Sequence, residues 1–389
     1  MYSLLLVVIY LAFISLGLPD SLLGSAWPVM QGELEVPISF AGIVTMIIAG
    51  GTVISSLFSD ELTRRFGAGR VTAVSVLMTA AALMGFSRSH SFVLLCAWAV
   101  PYGLGAGAVD AALNNYVALH YASRHMSWLH CFWGVGATIS PYIMGFCLSR
   151  GYGWASGYRT VGFLQIALAA ILFISLPLWG WKNSGKKGAE GEARSMGVRQ
   201  TLKIKGVPFI LITFFSYCAL EQTAMLWSSS YLVQFRGFSA DRAARLASLC
   251  FFGITFGRFL SGFVADQLGD RRLIRIGIAT AGAGCLLVAL PVTGAGAALA
   301  GLLLIGFGCA PIYPSIIHAT PFNFGKENSQ AVIGIQMASA YMGNIFMPPL
   351  FGLIASRIHM GLFPVYLFFF AVLMFLMSEK LNKVVGRAV

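Results

Sequence analysis

Long apolar runs broken by short polar groups make up most of the chain. A helix needs about 20 apolar residues to cross roughly 30 Å of hydrocarbon. Runs of that length predict helices near 3–28, 37–58, 71–88, 91–118, 127–148 and 160–181. Six more are predicted near 207–233, 242–266, 273–292, 296–318, 328–355 and 361–379. The runs are continuous and do not alternate between apolar and polar, which excludes a transmembrane β-barrel. The pattern predicts an all-α membrane protein with 12 transmembrane helices and no separate soluble domain.

One long polar segment, 182–206 (KNSGKKGAEGEARSMGVRQTLKIKG), follows the sixth run. Its Gly, Lys and Glu content marks a cytoplasmic basic linker between an N-terminal six-helix bundle, 1–181, and a C-terminal one, 207–389. A short basic helix on the membrane surface fits part of it. No basic region precedes the first run, and no small-residue cleavage site fits around Pro19 and Asp20. The first run is therefore expected to be span one and not a signal peptide.

Composition sharpens this picture. The chain is 58% hydrophobic and 10% charged, against roughly 25% charged in a soluble domain. That deficit excludes a soluble enzyme, a disordered chain and a disulfide scaffold. The net charge of +12 is spread among apolar runs, so no nucleic-acid partner is expected; the partners are the lipid bilayer and a small-molecule solute, and a monomer is expected. Lys and Arg favour the cytoplasmic side of a membrane protein. Eighteen of the 26 basic residues fall on the side that holds the linker, seven fall opposite, and Arg258 lies within span eight. That asymmetry predicts an inner (plasma) membrane protein with both termini cytoplasmic. The seven cysteines all sit inside or at the edge of runs, as packed free thiols and not as metal ligands.

The two halves also repeat. Ser56-Leu-Phe-Ser-Asp60 resembles Gly262-Phe-Val-Ala-Asp266, and both precede arginines. Pro141-Tyr-Ile-Met-Gly145 resembles Pro348-Pro-Leu-Phe-Gly352, and Gly103-Leu-Gly105 resembles Gly306-Phe-Gly308. Three matches in the same order, at nearly constant offset, indicate duplication of a six-helix unit and hence pseudo-symmetric bundles. Duplicated bundles with a site between them are a common transporter plan.

On these residues the chain resembles the major facilitator superfamily. GFVADQLGDRR (262–272) looks like that superfamily's loop 8–9 signature, and SDELTRRFGAGR (59–70) like its loop 2–3 counterpart. GLPDSLLGSAWPVM, GLGAGAVDAALNNYV and GFGCAPIYPSII, in spans one, four and ten, resemble the fucose:proton symporter and related glucose transporters. The resemblance implies gating charges at helix ends, carried here by Asp60, Arg64, Arg65, Asp266, Arg271 and Arg272. Gly262, four residues before Asp266, permits close helix packing; Ser56 stands in its place in the first copy. Arg258 is expected to pair with Asp266 in a gating role.

Ionisable residues within spans are costly on insertion and therefore point to function. Asp20, Asp110, Glu221, Arg258, His130 and His318 are such residues. A carboxyl withdrawn from water tends towards its neutral form, so Asp20, Asp110 and Glu221 are candidates for proton or cation coupling. Fucose-type symporters carry acids in spans one and four, which Asp20 and Asp110 match. No organic cofactor is expected; the coupling ion is H⁺ or, through oxygen ligands of Asp20, Asp110 and Asn114, Na⁺. Asp110 and Asn114 share a helix face, and Asn115 points sideways. Asn114, Asn115, Gln222, Trp227, Tyr313, Gln336 and Asn344 are candidate solute-binding residues, since hydroxyls need donors and acceptors and a sugar's C–H face packs on aromatic rings. Trp133 and Tyr217 are further aromatic candidates, while Trp27 and Trp128, near span ends, are expected to be interface anchors.

These features favour a secondary symporter for a sugar or similar neutral polar solute. The alternative is a proton-coupled exporter of drugs or other amphiphiles, for which GVGATISPYIMG (134–145) is only a partial span-five match. No nucleotide loop, metal cluster or nucleophile triad supports a membrane enzyme.

Overall fold

The structure, a computed structural model, describes residues 2–37, 40–180, 196–238, 240–291 and 296–386. Among these residues, 12 helices are long and apolar enough to cross a membrane: Leu4–Trp27, Phe40–Leu57, Ala68–Phe86, Phe92–His120, Ser123–Ser149, Gly153–Trp179, Val207–Gln234, Leu249–Leu268, Asp270–Ala289, Gly296–Phe324, Ser329–Arg357 and Met360–Val385. Each falls on an expected run. Several helices extend beyond the run because backbone hydrogen bonding continues into polar ends; the ninth opens on Asp270-Arg-Arg. Most of the basic linker lies outside the described residues, and from its end the short helix Val198–Thr201 carries Arg199. The seven cysteines are buried or half-buried.

The chain divides into two compact units: Met1–Tyr116 with Leu129–Met196, and Val117–Trp128 with Gly197–Val389. Residues 117–128, which join spans four and five, thus pack with the second unit.

Helix contacts within each unit repeat as the sequence does. A Cβ on Gly103 would strike the Ile48 carbonyl of span two, and one on Gly105 would come within 2.7 Å of the Ser75 oxygen in span three. In the second unit a Cβ on Gly306 would strike the Cys250 carbonyl of span eight, and one on Gly308 would lie 2.6 Å from the Gly277 oxygen in span nine. Matched glycines therefore let spans four and ten touch two neighbours backbone to backbone, as small residues do in membrane bundles. Thr52 and Ser56 add hydroxyl bonds to the Gly103 and Gly107 carbonyls, at 3.2 and 3.3 Å. Spans one and five meet in the same way at Gly17 and Gly136.

Among the described residues two spans are broken, at places that the repeat does not equate. Span one consists of Tyr2–Asp20 and Leu22–Glu33, parted at Ser21. Span ten consists of Gly296–Cys309 and Ile312–Phe324, parted around Pro311. Irregular backbone at membrane depth is tolerated only where protein or a watery cavity covers it, and interrupted spans are where transporters place their sites.

Gly306→Val should lower stability by about 1–3 kcal/mol through overpacking. Gly145→Ala, whose Cβ meets nothing within 4 Å, should be neutral or stabilising. Thermal unfolding of the detergent-solubilised protein checks both.

Candidate functional site

The first unit's site starts from a proline. Pro19 has no N–H, so the Ser15 carbonyl four residues earlier loses its helical partner. The buried Gln165 amide of span six donates to that carbonyl instead. Pro141 likewise frees the Ala137 carbonyl in span five, and Ser21 Oγ donates to it at 2.9 Å. Side chains thus satisfy two proline-freed carbonyls, and the bonds anchor span one at Ser15 and Ser21, on either side of Asp20.

Asp20 ends the first half of span one and is exposed. Tyr102 donates its hydroxyl to Oδ1 at 3.1 Å, and Trp133 donates its indole N–H to Oδ2 at 2.9 Å. Asp110 lies within electrostatic range of Asp20. Asn114 Nδ2 donates to Asp110 Oδ1 at 2.8 Å and to the Asp110 carbonyl at 3.0 Å. That orientation turns Asn114 Oδ1 towards His130 Nε2, 3.1 Å away, so Nε2 carries the ring proton. Phe13 meets the His130 ring edge-on at 5.3 Å. Asn115 is buried beside this network.

In the second unit Arg258 corrects the expected pairing. Its partner is Glu221, at 3.1 Å from Nη2 to Oε1, and not Asp266. Arg258 is 5% exposed and Glu221 9%. Span seven brings Glu221 to it across the interhelix gap, whereas Asp266 lies two turns on towards the helix end. Arg258 also donates to the Tyr217 hydroxyl at 3.3 Å. Tyr313 packs edge-on against Phe214 and Tyr217, at 4.7 and 5.9 Å, and donates to Met337 Sδ.

The other polar candidates in this unit differ in their commitments. Gln336 is fully buried and accepts from Thr320 at 3.1 Å. Gln222 and Asn344 are half-buried. Trp227 donates to the Pro348 carbonyl at 2.9 Å and covers Gly352, so it packs span seven on span eleven. Trp27 is not an interface anchor: it is 4% exposed, inside the first unit's core with Leu22, Met30 and Val44. Trp128 packs over Gly262, where a Cβ would collide with its indole.

The helix-end charges resolve into two clusters. Buried Asp60 accepts from Arg64 Nε at 3.0 Å and from the Met196 backbone N–H at 3.1 Å, while Arg65 stacks on Phe66. Asp266 pairs with Arg124 and accepts from its backbone N–H at 3.2 Å. Asp270 accepts from Ser123 at 2.6 Å and faces His318 Nδ1 at 2.7 Å, while His318 Nε2 reaches the Tyr121 carbonyl at 3.2 Å. These bonds fix residues 117–128 to spans nine and ten. Arg271 lies over Phe322, and Arg272 is exposed. Sequence reasoning missed Tyr102, Gln165, Ser123, Asp270 and Thr320; the N–H missing at Pro19 was the available signal for a donor such as Gln165.

Twelve spans, a duplicated six-helix unit and paired helix-end charges define a membrane transporter. The chain belongs to the Major Facilitator Superfamily, whose family model matches residues 9–320 and again 237–381. It is 23% identical over 377 residues to the cis,cis-muconate transport protein of Acinetobacter baylyi, covering 91% of this chain and 87% of that one. It is 21% identical over 390 residues to the 4-hydroxybenzoate transporter PcaK of the same organism, covering 88% and 85%. Among solved structures its fold is similar to the proton:xylose symporter XylE, with a TM-score of 0.80 at 14% identity, over 98% of this chain and 95% of that one. A variant of the E. coli fucose:proton symporter FucP gives a TM-score of 0.74 at 16% identity, covering 98% of each chain. The fold is thus shared with sugar:proton symporters, as the sequence resemblance implied.

Gln165→Leu, which orphans the Ser15 carbonyl, should cost about 1–3 kcal/mol of stability. Adding Pro19→Ala, which restores the missing N–H, should recover most of that loss in thermal unfolding.

Proposed function

We propose that this transporter couples proton movement to carriage of a sugar or similar neutral polar solute by alternating access. The observation that carries the reading is Asp20, an exposed carboxylate at the break in span one, held by two neutral donors and, among the described residues, paired with no cation. Such a group can take up a proton from one side and release it to the other without first breaking an ion pair. Asp110, whose Oδ1 accepts from the Asn114 amide, is the second coupling acid. Glu221, in contrast, is committed to Arg258.

Two further observations support the reading. Asn114 turns its Nδ2 to Asp110 and its Oδ1 to His130, which engages one lone pair of the amide oxygen and makes it a poorer Na⁺ ligand; this favours H⁺ as the coupling ion. The pairing of Arg258 with Glu221 leaves no net positive charge at that position, which favours a neutral solute over an anion. In the second unit Gln222 and Asn344 are candidate partners for such a solute's hydroxyls, with Tyr313 as an aromatic wall; in the first unit Asn115 is the candidate. The eighteen-to-seven bias of basic residues supports cytoplasmic termini in an inner membrane, and the protein would act as a monomer.

The muconate and 4-hydroxybenzoate transporters among its relatives favour a second reading, carriage of an organic carboxylate. A panel of radiolabelled sugars, benzoate and muconate in proteoliposomes separates the two. A sugar should accumulate under an inward proton gradient, faster as the outside is acidified. Asp20→Asn should reduce accumulation to the passive level while leaving solute counterflow intact. Gradient-driven accumulation of carboxylates alone, or full accumulation by Asp20→Asn, would overturn the reading.

A further inference from the structure

The Glu221–Arg258 pair, to which the proposed coupling assigns no role, takes two charges out of water. A buried ion pair gains little over apolar residues of the same size, so stability alone does not account for it. Its surroundings have another character. Arg258 Nη2 reaches both Glu221 Oε1 and the Tyr217 hydroxyl, at 3.1 and 3.3 Å. Behind them stand the rings of Tyr217, Tyr313 and Phe214. A guanidinium, a phenol and an aromatic wall are what recognition of an aromatic or short-chain carboxylate requires, because the guanidinium matches a carboxylate's two oxygens. Glu221, one helical turn after Tyr217, places the chain's own carboxylate in that seat.

We propose that Glu221 is an internal counter-ion that occupies the carboxylate seat of Arg258 and so sets this transporter's preference for neutral over anionic solutes. The inference rests on the neutral-solute reading above and adds the residue that enforces it. Removing the carboxylate, while keeping Arg258 and Tyr217, leaves a desolvated cation with space for an external anion. A small carboxylate entering there restores the pair; a neutral solute does not.

The test uses the full-length protein in detergent, titrated with formate against matched chloride. Glu221→Ala should lower Tm, and formate should raise it again in a saturable way. Formate should leave the wild type and the Glu221→Ala/Arg258→Gln double variant unmoved. Where Glu221→Ala does not fold, Glu221→Ser, which also empties the seat, is titrated with formate in its place, and the same saturable rise in Tm is expected. Absence of formate rescue in the folded Glu221→Ala or Glu221→Ser variant, or equal rescue in the double variant, would overturn the proposal. Sugar uptake by the wild type is measured in parallel. If formate rescue fails while that uptake stands, only the counter-ion role falls; if rescue succeeds without sugar uptake, only the neutral-solute reading falls.

Discussion

In hydrocarbon a backbone carbonyl that loses its helical partner cannot turn to water, and each orphaned group is costly. The rest of the first unit's site depends on how that constraint is met around Asp20. Pro19 frees the Ser15 carbonyl and Gln165 takes it up; Pro141 frees the Ala137 carbonyl and Ser21 takes it up. The two bonds tie span one to spans six and five, on either side of the residue where the helix breaks. With the backbone fixed there, the carboxylate of Asp20 meets Tyr102 and Trp133. Close approach at Gly17 and Gly136 lets the indole reach across.

The same constraint treats the charges of the two units differently. Within the first unit's spans neutral groups answer two carboxylates: a phenol and an indole on Asp20, an amide on Asp110. In the second unit a guanidinium answers Glu221. A carboxylate held by neutral donors keeps the freedom to change protonation state, whereas one in an ion pair forfeits a partner when it does. Under the proposed reading, coupling falls to the first unit and solute selection to the second. At the helix ends, Arg124–Asp266 and the Ser123–Asp270–His318 cluster hold residues 117–128 against the second unit. Those residues run on into span five, which carries His130 and Trp133.

Much of this was legible in the sequence. Hydropathy alone located all 12 spans, because crossing a bilayer imposes a length that few soluble helices reach. The repeated Gly-x-Gly foretold which glycines admit a neighbouring backbone, since only a missing side chain permits that approach. Asp110 with Asn114 was readable from helical periodicity. The partner of Arg258 was not: Asp266 lay on the same helix and was easy to reach along the sequence, while Glu221 came from another span. Tyr102 and Gln165 escaped notice because lone Tyr and Gln residues in apolar runs show no pattern. Their roles depend on which carbonyl or carboxylate a neighbouring helix presents. Trp27 was misjudged because position near a span end does not reveal that span one continues to Glu33 and buries the ring.

The central claim is that a neutral solute and a proton cross together. Charge movement on solid-supported membranes bearing proteoliposomes tests it most directly, with no gradient imposed at the start. Adding a transported sugar to wild-type protein should drive an inward positive current, and the medium outside should become more alkaline in step with it. Sugar entry with neither current nor pH change would contradict the account.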